Sequence, residues 1–218
     1  MNASIPKMFW VFDVLSPFAY LELKRLPELP GAERIEYVPV LLAGLLDHHG
    51  QIGPAEIAPK RRFTYRFVLW QARKMGIPMR MPPAHPFNPL SALRLIIAAG
   101  STRAAVERVF DAVFLQGYDV TDAGVLRELA AGLGVADPQV VLAAPVTKQK
   151  LRDNTAWAIE RGVFGVPTLL VGEEIFWGQD AFEMARDFVR DPAAFADRDM
   201  RALESLPVGA SRPRPEAV

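Results

Sequence analysis

The 218-residue chain contains no cysteine. That absence excludes a disulfide scaffold, zinc–thiolate and iron–sulfur sites, and any thiol nucleophile belonging to the protein itself. Histidine is scarce, with three residues. Two of them, His48 and His49, are adjacent in a segment with no third candidate ligand, so no metal site is expected. Net charge is missing too: 25 basic residues balance 25 acidic ones. Such a balance leaves no electrostatic footprint for nucleic acid. No apolar run reaches the roughly 18–20 residues a membrane span needs. The short run Met8–Phe12 is cut by Asp13 and lacks the length and the small-residue cleavage site of an export signal. The chain therefore reads as soluble and cytoplasmic, with neither nucleic acid nor membrane as partner.

Acidic residues are also absent locally. From Ile57 to Val106 there is no Asp or Glu, while Lys60, Arg61, Arg62, Arg66, Arg73, Lys74, Arg80, Arg94 and Arg103 all fall there. A positive segment inside a neutral chain fits either a solvated basic helix face or a local site for small carboxylates.

What is present is a hydrophobic half of the composition, enough for a substantial core. Met8–Phe12 reads as a strand. Ser16-Pro17 then opens a helix, with serine as N-cap and proline at the first helical position. Arg34–Leu42 reads as a second strand, giving a strand–helix–strand start. Residues 43–59, rich in Gly and Pro, read as a loop. Helical patterns follow over Lys60–Met75, where Phe63, Phe67 and Trp70 share a face. Further ones cover about 90–99, 102–116 and 122–132, a short one starts at Asp137-Pro138, and another runs over Thr147–Arg161. Thr168–Val171, the turn Gly172-Glu173 and Glu174–Trp177 make a hairpin, and Gln179–Val189 a last helix. The order βαβ, helices, ββα is the layout of an α/β thioredoxin-like fold with an inserted all-helical domain. The expected division is 1–43 with 147–195, an insertion over 44–146, and a tail over 196–218 whose last ten residues read as disordered.

Three places could carry chemistry. Ser16 sits where a strand gives way to a helix, so its hydroxyl and the unpaired helix N–H groups could hold an anion such as a thiolate; a plain N-cap serves equally. No histidine lies near it in sequence to make it a nucleophile. Val166-Pro167-Thr168 is a cis-proline candidate whose backbone at Val166 could pair with a peptide-like ligand. Trp177-Gly178-Gln179-Asp180 joins the last strand to the last helix, and Asp180 could cap that helix or hold an ammonium group. His85, inside the proline-rich Pro78–Pro89, reads as structural or substrate-facing.

Taken together, Asp13-x-x-Ser16-Pro17-Phe18-Ala19-Tyr20, Lys60, Pro86-Phe87-x-Pro89-Leu90-x-Ala92-Leu93-Arg94, Gly162-Val163-Phe164-Gly165-Val166-Pro167-Thr168 and Phe176-Trp177-Gly178-Gln179-Asp180 match one pattern. Over about residues 8–190 the chain resembles the 2-hydroxychromene-2-carboxylate isomerase family, which is similar to kappa-class glutathione transferases and DsbA-like oxidoreductases. The resemblance implies a glutathione-binding enzyme, usually a homodimer, in aromatic compound catabolism. It implies that Ser16 hydrogen-bonds the glutathione sulfur, that Lys60 meets a carboxylate, that Val166 before a cis Pro167 pairs with the cysteinyl main chain, and that Asp180 holds the γ-glutamyl amino group. Gln51 and Gln179 complete the expected cofactor site, and Phe18, His85 and Trp177 the substrate pocket. The implied reaction is isomerisation of a small conjugated aromatic carboxylate by reversible thiolate addition. Without cysteine the dithiol chemistry of the DsbA-like relatives is excluded.

The chain departs from the family pattern at three points. Gly50-Gln51 stands where many members carry Gly-Asn. Phe67 and Trp70-Gln71 replace the usual Asp beside an Arg-Trp pair, and Gln179 replaces Ser or Asn. The alternatives are a kappa-like transferase or peroxidase and a non-catalytic thioredoxin-fold binding protein.

Overall fold

In the computed structural model, residues 6–210 are described. Four strands, β1 (Met8–Phe12), β2 (Ile35–Pro39), β3 (Thr168–Val171) and β4 (Glu174–Trp177), form one sheet in the order β2-β1-β3-β4. β1 runs parallel to β2 and antiparallel to β3, and β3 antiparallel to β4. β1 is flanked on both sides, and its alternation sorts its side chains onto two faces. Met8, Trp10 and Phe12 enter the large core, and Val11 enters a smaller one on the opposite face. β3 divides in the same way, Leu169 and Val171 to the large core and Leu170 to the small one.

The large core joins the sheet to α1 (Pro17–Arg25), to α9 (Phe182–Arg190) and to the helices between β2 and β3. Those include α3 (Ala58–Lys74), α4 (Leu90–Ala98), α5 (Arg103–Phe114), α6 (Ala123–Gly132) and α7 (Pro138–Ala143). Trp10 stacks on Phe12 at 4.6 Å, and Phe110 of α5 packs against both at 6.0 and 5.7 Å. Each of these fully buried rings contributes about 1.5–3 kcal/mol by leaving water. The inserted helices therefore share their core with the sheet. The opposite face is covered by α8 (Pro145–Glu160) and α2 (Leu42–His49), through Ala158 and Leu45. The last described helix is α10 (Arg198–Leu203). The expectation of disorder over the last ten residues falls almost wholly on 211–218, outside the described residues.

The loop expected over residues 43–59 is in part wrong, because Leu42–His49 is helical. The glycines misled for separable reasons. A Cβ on Gly44 would lie 3.2 Å from Thr155 Cγ2, so this glycine lets α2 approach α8. Gly50, at φ 61°, closes the helix in the left-handed conformation as a C-terminal cap. Boundary differences elsewhere are small. The last helix begins as a 3₁₀ turn, Gln179–Ala181, and Arg34–Leu42 contracts to Ile35–Pro39. No helix among the described residues is long and apolar enough to cross a membrane.

Candidate functional site

The strand directions gather one end of the sheet. Phe12 ends β1 beside the end of β2, with Pro39 as its partner, and Val11 pairs with Thr168, where β3 begins. Thr168 in turn pairs with Trp177, where β4 ends. The segments Asp13–Ser16, Val166-Pro167 and Trp177–Asp180 are thus brought to the same edge, although more than 140 residues separate the first from the other two.

Asp13 organises the first segment. It is fully buried, accepts from Leu15 N–H through Oδ1 at 2.9 Å, and accepts from Leu42 N–H through Oδ2 at 2.8 Å. It therefore ties the loop to the start of α2. Burial pushes its carboxyl up to about 6, against the two N–H donors that favour the charged form. Ser16 follows as the N-cap of α1, its Oγ accepting from Ala19 N–H at 3.2 Å. That bond uses an oxygen lone pair and leaves the hydroxyl proton to donate. The side chain is nearly buried, at 6% exposure, at the end of α1 where the first helix N–H groups are also free of intrahelical partners.

The Val166–Pro167 peptide is cis. Neither the N–H nor the C=O of Val166 has a hydrogen-bond partner among the described residues. Thr168 Oγ1 donates to Gly165 O at 2.8 Å, and Gly178 N–H donates to Pro167 O at 2.9 Å, so the turn around Val166 is braced on both sides. Gly178 sits at φ 88°, and a Cβ there would come within 2.5 Å of Asp180 Oδ1. Only glycine lets the Asp180 carboxylate fold back over this turn. Asp180 is exposed, and Trp177 is half-exposed with its ring against Phe164 at 5.0 Å.

Of the remaining expected residues, Phe18 lies in the first turn of α1 and meets Phe67 of α3 at 6.3 Å. Phe67 continues into a ladder, stacked with Phe63 at 5.6 Å and Trp70 at 5.9 Å. This face is not a core face: Phe63 is 65% and Trp70 54% exposed, while α3 buries only Val68 and Ala72. Lys60 is exposed three residues before Phe63 and so lies on the same stripe. Gln51 is exposed just past Gly50. Asp13 holds the other end of α2, on the order of 12 Å away along the helix, whereas His49, two residues before Gln51, meets the Val163 carbonyl three residues before Val166.

Both ring nitrogens of His85 are engaged within the protein, with Leu15 O at 2.8 Å and Tyr65 Oη at 2.7 Å. Gln179 is buried, and its amide donates to Gln71 Oε1 on α3 at 2.9 Å. Two of the departures from the family pattern therefore pair with each other. His49 Nε2 lies 3.1 Å from Val163 O, a packing role. No cluster of three or more His, Cys, Asp or Glu among the described residues could hold a metal.

Sequence reasoning assigned no role to Asp13, Tyr65, Gln71 or Glu22. Only Asp13 carried a signal, as a lone carboxylate at the end of an apolar strand. Glu22, in α1, is fully buried and accepts from Trp10 Nε1 at 3.0 Å. Burial pushes its carboxyl up to about 8.

A thioredoxin-type sheet with a serine at the first helix N-terminus and a cis-proline opposite it defines the DsbA class without its thiols. The profile of the DSBA-like thioredoxin domain matches residues 9–190. A 2-hydroxychromene-2-carboxylate isomerase from Pseudomonas putida is 32% identical over 79% of this chain and 89% of its own length. The solved structure of a 2-hydroxychromene-2-carboxylate isomerase superposes with a TM-score of 0.76 at 27% identity, covering 88% of this chain and 98% of that one. A kappa 2 glutathione S-transferase from Caenorhabditis elegans is 24% identical over 88% of this chain and 94% of its own. The chain belongs to the DSBA-like thioredoxin family and, within it, to the 2-hydroxychromene-2-carboxylate isomerase family; it is an enzyme of the isomerase class.

Proposed function

We propose that the protein is a glutathione-dependent isomerase of a small, conjugated, aromatic carboxylate. The observation that carries the reading is the pairing of a donor-ready Ser16 hydroxyl with an unpartnered Val166 backbone at one sheet edge, in a chain with no thiol of its own. The residues present fit glutathione. Val166 offers an N–H and a C=O as an edge strand would. Asp180 offers an exposed carboxylate to an ammonium group, and Lys60 offers a cation to a carboxylate. When bound, glutathione supplies the thiolate nucleophile, adding reversibly to the substrate.

The chain's own part is electrostatic and positional. Ser16 donates to the sulfur and favours its charged form. The stacked rings of Phe63 and Phe67, met at a tilt by Phe18 two residues past Ser16, give an apolar surface, and the acid-free run around Lys60 favours an anionic substrate there. Trp177, half-exposed beside Phe164, offers a second apolar surface. Gln51 serves as an outlying polar contact and Gln179 through its backbone, its side chain being held by Gln71. We assign the protein to the cytoplasm as a homodimer in aromatic compound catabolism.

Glutathione binding by calorimetry tests the reading. A dissociation constant between micromolar and millimolar is expected, raised about tenfold by Asp180→Ala, the loss of roughly one charge-assisted bond. A smaller rise with a weaker salt dependence is expected for Lys60→Ala. No binding to the folded protein would sink the proposal and favour a non-catalytic binding protein. The kappa-class relative supports a second reading, a transferase. It predicts a stable conjugate as product, whereas the isomerase returns rearranged substrate and free glutathione.

A further inference from the structure

The Asp13–Ser16 loop is fixed from two directions. Asp13 Oδ1 holds Leu15 N–H, and Asp13 O accepts from Ser16 N–H at 3.0 Å. The Leu15 carbonyl, which belongs to the peptide that carries Ser16, is held from outside the loop by His85 Nε2 at 2.8 Å. A carbonyl can only accept, so Nε2 carries the proton and Nδ1 is left as acceptor. Burial lowers the pKa of His85 and keeps that neutral form at neutral pH. Nδ1 then takes the hydroxyl proton of Tyr65 at 2.7 Å, with the His85 carbonyl, also 2.7 Å away, sharing it. The Tyr65 ring stands edge-on to the imidazole at 5.1 Å, and Phe87 and Phe114 close in at 5.9 and 6.5 Å. Every polar atom of the imidazole is spent on this link, and Tyr65 lies on α3, the helix that also carries Lys60 and the aromatic ladder.

We propose that His85, fixed by Tyr65, is a positioning residue: it latches the inserted helices to the Leu15 carbonyl and so sets the direction of the Ser16 hydroxyl against the α3 wall. The effect on turnover rests on the reading above; the latch itself does not. Losing the latch frees the Leu15–Ser16 peptide to rotate, which blurs the aim of a donor whose value depends on preorganisation. With both ring nitrogens engaged within the protein, His85 has no imidazole hydrogen bond left to offer a substrate.

The test has one arm that needs no ligand. Hydrogen exchange of the Leu15 and Ser16 amides is measured by mass spectrometry on the unliganded full chain. His85→Ala is expected to speed it about tenfold, the loss of one hydrogen bond of ordinary strength. His85→Gln, whose amide N–H can reach the place of Nε2, is expected to restore most of the protection. Tyr65→Phe, which keeps the ring packing, should give a smaller rise in the same amides. In turnover, His85→Ala should lower kcat about 3- to 30-fold with KM for glutathione within twofold, and His85→Gln should recover it. Unchanged exchange in His85→Ala, or a Gln variant no better than Ala, would overturn the latch. If exchange responds as expected while the wild-type protein fails to bind glutathione, the latch stands and the functional reading falls.

Discussion

Ser16→Ala should fold and bind glutathione yet lose about 10- to 1,000-fold in turnover, the range seen when one preorganised anion donor is removed. The reason lies in how the hydroxyl divides its bonds. Its oxygen accepts from Ala19 N–H and caps α1, while its proton is left to donate, on the proposed reading to the sulfur. The substitution removes both functions, and they are separable. Loss of the cap costs about 1 kcal/mol of stability, or about 2–4 °C in a chain of this size. Loss of the donor raises the pKa of the bound thiol. Ser16→Gly keeps most of the capping energy without a hydroxyl, since glycine at this position costs only a few tenths of a kcal/mol. The Ala and Gly variants should therefore share the same loss of turnover and differ in melting temperature. The ultraviolet absorbance of the bound thiolate, followed against pH, reads the thiol pKa directly. It should rise in both variants and return with Ser16→Thr. A thiol pKa unmoved by removing the hydroxyl would take Ser16 out of the mechanism and leave it as a cap.

The residues that were legible in the sequence share a property: their structural role is local. Ser16 and Pro17 announce the start of α1 by their own backbone chemistry, and Gly172-Glu173 announces the hairpin. Val166-Pro167 and Asp180 stand within motifs that place themselves once the strands are ordered. What escaped is non-local. Tyr65 meets His85 from 20 residues away, His85 meets Leu15 from 70, and Gln71 meets Gln179 from 108. Gln71 and Gln179 each departed from the family pattern, and each looked like a change in the pocket. In the fold they are one change made twice, an amide pair joining α3 to the turn before Asp180. α2 failed for the opposite reason: Gly44 carries a strong local signal for a break, but packing against α8 is what requires it. The apolar stripe of α3 likewise obeys helical periodicity and still faces outward, because periodicity says which side chains share a face and not what covers it.

The last expectation concerns Glu22, whose carboxyl lies fully buried between Trp10 and the Asp180 turn. Oε2 accepts from Trp10 Nε1, and Oε1 has no partner. Burial holds its pKa near 8, from an ordinary value of 4.5, with the Trp10 bond and Arg25 opposing and Asp180 adding. The linkage has a definite sign. Below pH 4.5 the acid is neutral in both the folded and unfolded chain, and folding carries no penalty. Between 4.5 and 8 the unfolded chain ionises while the folded one does not, so stability falls as pH rises. Above about 8 the full penalty is in place. Asp13, raised to about 6, adds a smaller loss in the same direction at lower pH. Glu22→Gln removes the titration and keeps an oxygen for Trp10. Denaturant unfolding at pH 5 should show the two proteins close in stability. At pH 8 the Gln variant should be more stable by about 2–4 kcal/mol, since each pKa unit is worth about 1.4 kcal/mol and relaxation around the charge absorbs part of the total. Asp13 is present in both proteins, so it cancels from the difference. Glu22→Leu should behave otherwise at every pH. It leaves the Trp10 N–H buried without an acceptor, at a cost of about 1–3 kcal/mol. A difference between Glu and Gln that stays flat from pH 5 to 8 would show that Glu22 ionises at its ordinary value, and that the space around it is wetter than its burial implies.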